Sequence, residues 1–132
     1  MAQRPLVVDY TIICDDVRIE NNGKQIFIGV YSDDIVFSSF PIEKLLNAVV
    51  RFKANEAKSH EIVISAFADK ERIMEGRAKF TIEKVGSAFA TFPIPVMFEK
   101  PCTLTIKLKI GSERANILLK MQVREASPVP TA

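Results

Sequence analysis

The dipeptide Asn22-Gly23 narrows what this chain can become more than any other feature. Asn-Gly between two β-branched runs is the strongest short-range hairpin signal, because a two-residue turn of the favoured hand needs φ > 0 at both positions. With Asn22 and Gly23 as the loop, Asn21 pairs with Lys24, Ile19 with Ile26, and Val17 with Ile28. The last two pairs are apolar on both strands, so one face of the hairpin is expected against a core. A slip of one residue would set Ile19 opposite Gln25 and turn that apolar set toward water, so the pattern predicts the first register.

A second hairpin stands near the other end. Leu104, Ile106, Leu108 and Ile110 alternate with Thr103, Thr105, Lys107 and Lys109, and Gly111-Ser112-Glu113-Arg114 turns the chain back. The spacing predicts Leu108 opposite Ile117, Ile106 opposite Leu119 and Leu104 opposite Met121. Elsewhere Leu6–Cys14, Ile35–Phe37, Val49–Lys53, Ile62–Phe67, Arg77–Glu83 and Ala88–Phe92 read as extended. At Ile12-Ile13 the first run changes face or is covered on both sides. Gly29 marks a bulge or a close backbone approach in the hairpin's return arm. Phe40-Pro41 marks a break, and Ile42–Asn47 fits one helical turn that opens on Pro41. Ala54–Glu61 reads as a polar loop and Asp69–Arg72 as a charged turn. Pro93 and Pro95 confine residues 92–98 to a sheet edge or an extended connection.

About eight short strands with regular turn signals predict an all-β fold, an antiparallel sandwich with an immunoglobulin-like arrangement as the first choice. A jelly roll or barrel would show the same pattern. One domain over residues 1–126 is expected, then a tail from Ser127 to Ala132. The 132 residues, 48% of them hydrophobic, suffice for a core without metal or disulfide support. Two lone thiols, Cys14 and Cys102, fit a reducing cytoplasm, with a single bridge as the other reading. No apolar run reaches membrane-spanning length, and Asp9 with Asp15-Asp16 breaks the N-terminal apolar stretch that a secretory signal would need. The net charge of +2 divides into −3 over residues 1–69 and +5 over 70–132. Such a division fits a polyanion site or electrostatic self-association if the fold keeps the halves apart.

The run Ile13-Cys14-Asp15-Asp16-Val17-Arg18, then Asn22-Gly23-Lys24, Ile28-Gly29-Val30-Tyr31, Asp33-Asp34-Ile35 and Phe40-Pro41, resembles a family of short bacterial proteins known only as a domain of unknown function. The resemblance is dense over residues 12–41 and looser near Pro101–Leu104. It implies a small, bacterial, cytoplasmic β protein, and it carries no activity, cofactor or site residues with it.

The paired acids Asp15-Asp16 and Asp33-Asp34 are the best chemical candidates. In the predicted register Asp16 falls opposite Gly29, with Asp33 and Asp34 near the same end. Carboxylates converging there could hold Ca²⁺, which takes six to eight oxygens. Against this, adjacent strand residues point to opposite faces, and carboxylates at strand ends commonly accept backbone N–H bonds instead. The one histidine, His60, is expected exposed in the polar loop, where Ser59-His60 adjacency does not make a triad. Cys14 beside aspartates has its thiol pKa raised rather than lowered, which argues against a nucleophile. The glycines form no phosphate-cradling cluster. Lys107, Lys109 and Lys120, with Arg114 and Arg124, form a basic stripe, but no stacking aromatics interleave with it as in nucleic-acid readers.

No catalytic set is assembled. The expectation is a non-catalytic module that binds a protein partner or itself, without cofactor, membrane or nucleic acid. A metal- or small-ligand-binding sandwich using Asp15, Asp16, Asp33 and Asp34 is the alternative. For self-association the expected edge is 35–37, with Asp33-Asp34 meeting the basic face of 107–124 on a neighbour.

Overall fold

Apolar residues recur on alternate positions through most of this chain, so the stable solution is two sheets that bury one face each against the other. The computed structural model describes residues 4–127. In chain order the strands are β1 (Leu6–Ile19), β2 (Gln25–Tyr31), β3 (Asp34–Phe37), β4 (Ile42–Ala54), β5 (Ser59–Ala68), β6 (Glu71–Thr81), β7 (Gly86–Phe98), β8 (Cys102–Ile110) and β9 (Asn116–Glu125). The first sheet has the order β2-β1-β4-β7 and the second β3-β9-β8-β5-β6. All pairings are antiparallel except β3 with β9. The fold is a β-sandwich and not a barrel. It has nine strands where the sequence predicts about eight. Beyond Ser127, the expected tail lies outside the described residues.

β1 runs 14 residues and serves two partners. Its first part pairs with β4 and its last part with β2, with both neighbours meeting it at Ile13 and Cys14. The β1–β4 register shifts between Val8 and Tyr10, so Asp9 is the extra residue of a bulge. Leu6 and Val8 therefore face inward before it, and Thr11, Ile13 and Asp15 after it. This settles Ile12-Ile13: the face changes at Asp9, Ile13 enters the core, and Ile12 lies outside.

The core comes from alternating positions on both sheets. Leu46, Phe52, Ile94 and Phe98 meet Ile62, Leu104, Ile106 and Leu108, all essentially free of solvent. Each contributes about 1.5–3 kcal/mol of apolar transfer free energy.

Four local expectations change. The first hairpin has a three-residue loop. Gly23 N–H donates to Glu20 O at 2.9 Å and Glu20 N–H to Lys24 O at 2.8 Å, leaving Asn21-Asn22-Gly23 as the loop. Gly23 alone in the loop has φ > 0, at +86°, matching the loop class that ends on a left-handed glycine. Ile19 now pairs with Gln25, Val17 with Phe27 and Asp16 with Ile28. The physical reason is on β2 itself, whose two faces are both apolar. This register turns Phe27 and Tyr31 inward and leaves Ile26, Ile28 and Val30 outside.

Ile42–Asn47 is not a helical turn but the start of β4, a strand paired on both sides over most of its length. Hydrogen bonding to β7 from Ile42 onward outweighs the helix-start signal of Pro41. Ala54–Glu61 is a shorter loop than expected, since β5 begins at Ser59 and pairs His60 with Phe80. In the last hairpin, Ile106–Leu119 and Leu104–Met121 pair as predicted. A register shift after Ile106 then sets Ile117 opposite Lys107 and Leu108 opposite Asn116.

Candidate interaction face and the Asp15 network

Adjacent residues on a strand diverge, and Asp15 and Asp16 do so with different consequences. Asp15 points inward beside Gly29. Tyr31 Oη donates to its Oδ1 at 2.5 Å, and Lys44 Nζ stands 3.2 Å from the same oxygen. Asn47 Nδ2 donates to the Asp15 backbone carbonyl at 2.9 Å. Burial pushes the Tyr31 phenol well above its ordinary pKa, and its bond to Asp15 adds to the rise. A phenol held neutral beside a carboxylate already satisfied twice is a poor acid–base pair. The network instead ties together β1, β2 and β4 at the end where β2 would otherwise be held by β1 alone.

Asp16 points outward. Its Oδ1 accepts Val17 N–H at 2.9 Å and its Oδ2 pairs with Arg18 at 3.3 Å. Asp34 accepts Arg124 Nε at 2.8 Å, joining β3 to β9. Three of the four acids are thus engaged in separate places. Among the described residues no three His, Cys, Asp or Glu side chains come together in a way that could hold a metal ion.

His60 is buried, at 8% exposure, rather than exposed in a loop. Its Nε2 has no protein partner, and it borders a cleft of about 480 Å³ with Pro5, Lys58, Ser59 and Glu113. Cys14 and Cys102 are both free thiols, and burial pushes each above its ordinary pKa.

The outer face of the first sheet is the notable surface. Tyr10, Arg51 and Phe89 lie directly opposite one another on β1, β4 and β7. The Arg51 guanidinium carbon is 5.8 Å from each ring centroid, and the rings meet edge to face at 6.4 Å. Asp9 at 3.6 Å and Ser87 Oγ at 2.8 Å hold the guanidinium in place. Toward β2 the same face carries Ile26, Ile28 and Val30, exposed by 41%, 41% and 52%. Toward β7 it carries Leu45 and Met97, exposed by 54% and 49%. The Asp16–Arg18 pair on β1 lies between the two groups, so the face combines exposed apolar side chains with a charged pair at its centre.

The second sheet's outer face has the opposite character. Lys107, Lys109 and Lys120 lie there with Arg72, Arg77 and Lys79 of β6, and Glu61, Glu75 and Asp34 are interspersed. Lys107 Nζ sits 4.8 Å from the Phe67 ring centroid. The basic stripe read from the sequence is therefore part of a broader charged face.

The sequence does not announce Tyr31 and Lys44 as partners of Asp15, because Tyr31's placement depends on the slipped register and Lys44's on a strand where a helical turn is expected. Nor does it announce the Tyr10–Arg51–Phe89 row, which assembles across three strands. The signal in hand was a β2 segment, QIFIGVY, apolar on both faces.

A comparison with curated proteins finds no match. Residues 9–124 match the model of a family described as a family of unknown function, DUF6941, which accords with the resemblance seen around Asp15-Asp16 and Asn22-Gly23, and the chain belongs to that family.

Proposed function

We propose that the protein is a non-catalytic β-sandwich module that binds another protein through the outer face of its first sheet. The observation that carries this reading is an outer face with exposed Ile26, Ile28 and Val30 on one flank and Leu45 and Met97 on the other, the Asp16–Arg18 pair between them, and Arg51 held between Tyr10 and Phe89. Tyr and Arg are over-represented among the residues that dominate binding energy, and rigid, pre-placed side chains lose little entropy on contact. The chemistry elsewhere supports a non-catalytic role: both thiols have pKa values pushed up by burial, the reverse of an activated nucleophile. The Asp15 carboxylate is taken by Tyr31 and Lys44.

The test is capture from an extract of the source cells with three baits: wild type, the double variant Leu45→Glu/Met97→Glu, and Lys109→Glu on the opposite face. The expected result is a partner held by wild type and by Lys109→Glu and lost by the double variant. Equal capture by all three, or loss with Lys109→Glu alone, would overturn the assignment of the face.

A further inference from the structure

A sandwich has four strand edges, each with unpaired N–H and C=O groups that can recruit another strand. Three edges here are defended. β7 carries Pro93 and Pro95, which lack donor N–H groups and protect its second half, from residue 93 to 98. β6 carries Glu71, Arg72, Glu75, Arg77 and Lys79 within its 11 residues. β3 is only 4 residues long. β2 lacks such protection along its whole length: from Gln25 to Tyr31 it holds no charge and no proline, its one irregularity is the left-handed Gly29, and its outward residues Ile26, Ile28 and Val30 are solvent-exposed.

The charges sit just outside that strand and have opposite signs at its two ends. Lys24 precedes β2 and Asp33 follows it by two residues. Neither makes an ion pair among the described residues. Antiparallel pairing of β2 with a second β2 brings the start of one strand to the end of the other. With the two-fold axis at Ile28, the middle residue, Ile26 of one copy faces Val30 of its partner and Ile28 faces Ile28. Lys24 then comes to the end of the pairing where the partner's chain bends out of β2 through Ser32 and Asp33, and symmetry makes this approach twice.

We propose that the chain forms a symmetric dimer by antiparallel pairing of β2 with β2, clamped at both ends by Lys24–Asp33 ion pairs between copies. This rests on reading the first sheet's outer face as a contact surface, since the paired Ile-Ile-Val rows extend that face across the junction. The occupant is a second copy because antiparallel self-pairing brings the positive end of one strand to the negative end of the other. The edge foreseen from sequence, residues 35–37, is a short strand whose Ile35 and Phe37 are buried and whose Asp34 is already paired with Arg124 of its own chain.

The experiment is sedimentation velocity on the full chain at tens of micromolar, with Lys24→Glu, Asp33→Lys and an equimolar mixture of the two variants. Both positions are exposed, and far-UV circular dichroism checks that each variant folds. Wild type is expected to sediment as a dimer. Each single variant places like charges at both clamps and is expected to dimerise about tenfold more weakly. In the mixture the new glutamate of one variant faces the new lysine of the other, while the retained Lys24 and Asp33 meet as before, so dimers are expected to return. A monomeric wild type, single variants as dimeric as wild type, or a mixture no more dimeric than its components would each overturn the proposal. A monomeric wild type together with partner loss in Leu45→Glu/Met97→Glu would leave the proposed function standing and remove only the dimer.

Discussion

A Cβ placed on Gly29 would stand 2.5 Å from Oδ2 of Asp15. The glycine also has φ +69°, a conformation side-chain-bearing residues rarely adopt. Asp15 cannot swing clear, because Tyr31 and Lys44 both hold its other oxygen. Space, backbone and hydrogen bonding thus converge on one residue of an edge strand.

Gly29→Ala should therefore destabilise the fold by about 2–4 kcal/mol, combining left-handed strain with the broken Asp15 contacts. Gly23→Ala is the control. Its φ is +86° but nothing lies within 4 Å of the added carbon, so only strain remains, about 1 kcal/mol. Gly23→Val should be worse than Gly23→Ala, and Asn22→Gly mild. Urea denaturation ranks these variants, and equal midpoints for Gly29→Ala and Gly23→Ala would remove the Asp15 argument.

Tyr31→Phe gives a prediction in pH. The folded phenol ionises above its ordinary value near 10, so below that pH the unfolded and folded states are both protonated and the contribution is complete. As pH rises further the unfolded chain releases a proton that the fold retains, and stability falls. Cys14 and Cys102 act in the same direction from a little lower, near 9. The wild-type melting temperature should fall between about pH 9 and 11. Tyr31→Phe, though less stable at neutral pH by about 1.5–3 kcal/mol, should fall less steeply above pH 10. Parallel slopes for the two proteins would count against the network.

His60→Leu should leave stability unchanged or raise it by about 1 kcal/mol, because the buried Nε2 gains no protein hydrogen bond in return for leaving water. Thermal unfolding decides this. A loss of 2 kcal/mol or more would mean that the imidazole is held by a partner that the fold supplies in solution.

Calcium titration followed by calorimetry should give no stoichiometric heat. Asp15 is tied to Tyr31 and Lys44 on the inner face, Asp16 to Arg18 on the outer, and Asp34 to Arg124 in the other sheet. Asp16→Asn should change stability by no more than about 1 kcal/mol, the scale of an exposed pair. A saturable heat abolished by Asp16→Asn or Asp33→Asn would establish a site that these contacts do not foreshadow.

What was legible in the sequence is the alternation. It locates both hairpins and two of the three predicted β8–β9 pairs, while Pro93 and Pro95 leave residues 92–98 a sheet edge or an extended connection, of which the fold takes the edge. Register in the first hairpin was not legible, because β2 is apolar on both faces and the pattern cannot rank Ile26 and Ile28 against Phe27 and Tyr31. The three-residue loop decides it, and Asn-Gly serves that loop as well as the two-residue one. Everything built on the slip followed it out of sight: the Asp15–Tyr31 bond, the exposed Ile-Ile-Val row, and the divergence of Asp16 from Gly29. His60 was misplaced for a different reason, since polar neighbours on both sides conceal a strand whose inward alternate positions, His60, Ile62 and Ile64, are buried.

Pro93 and Pro95 bear on how large an assembly of this chain can become. The two edges of the first sheet are β2, where the proposed pairing takes place, and β7, whose second half carries both prolines. Two copies joined at β2 use up both β2 edges, and each outer boundary of the joined sheet is then a proline-bearing β7. In such a pair, strand addition is blocked along residues 93–98 of each outer edge. A sheet with two wholly unprotected edges could add copies without limit, as fibrils do, and Pro93 with Pro95 opposes that outcome at the end of β7 where they sit.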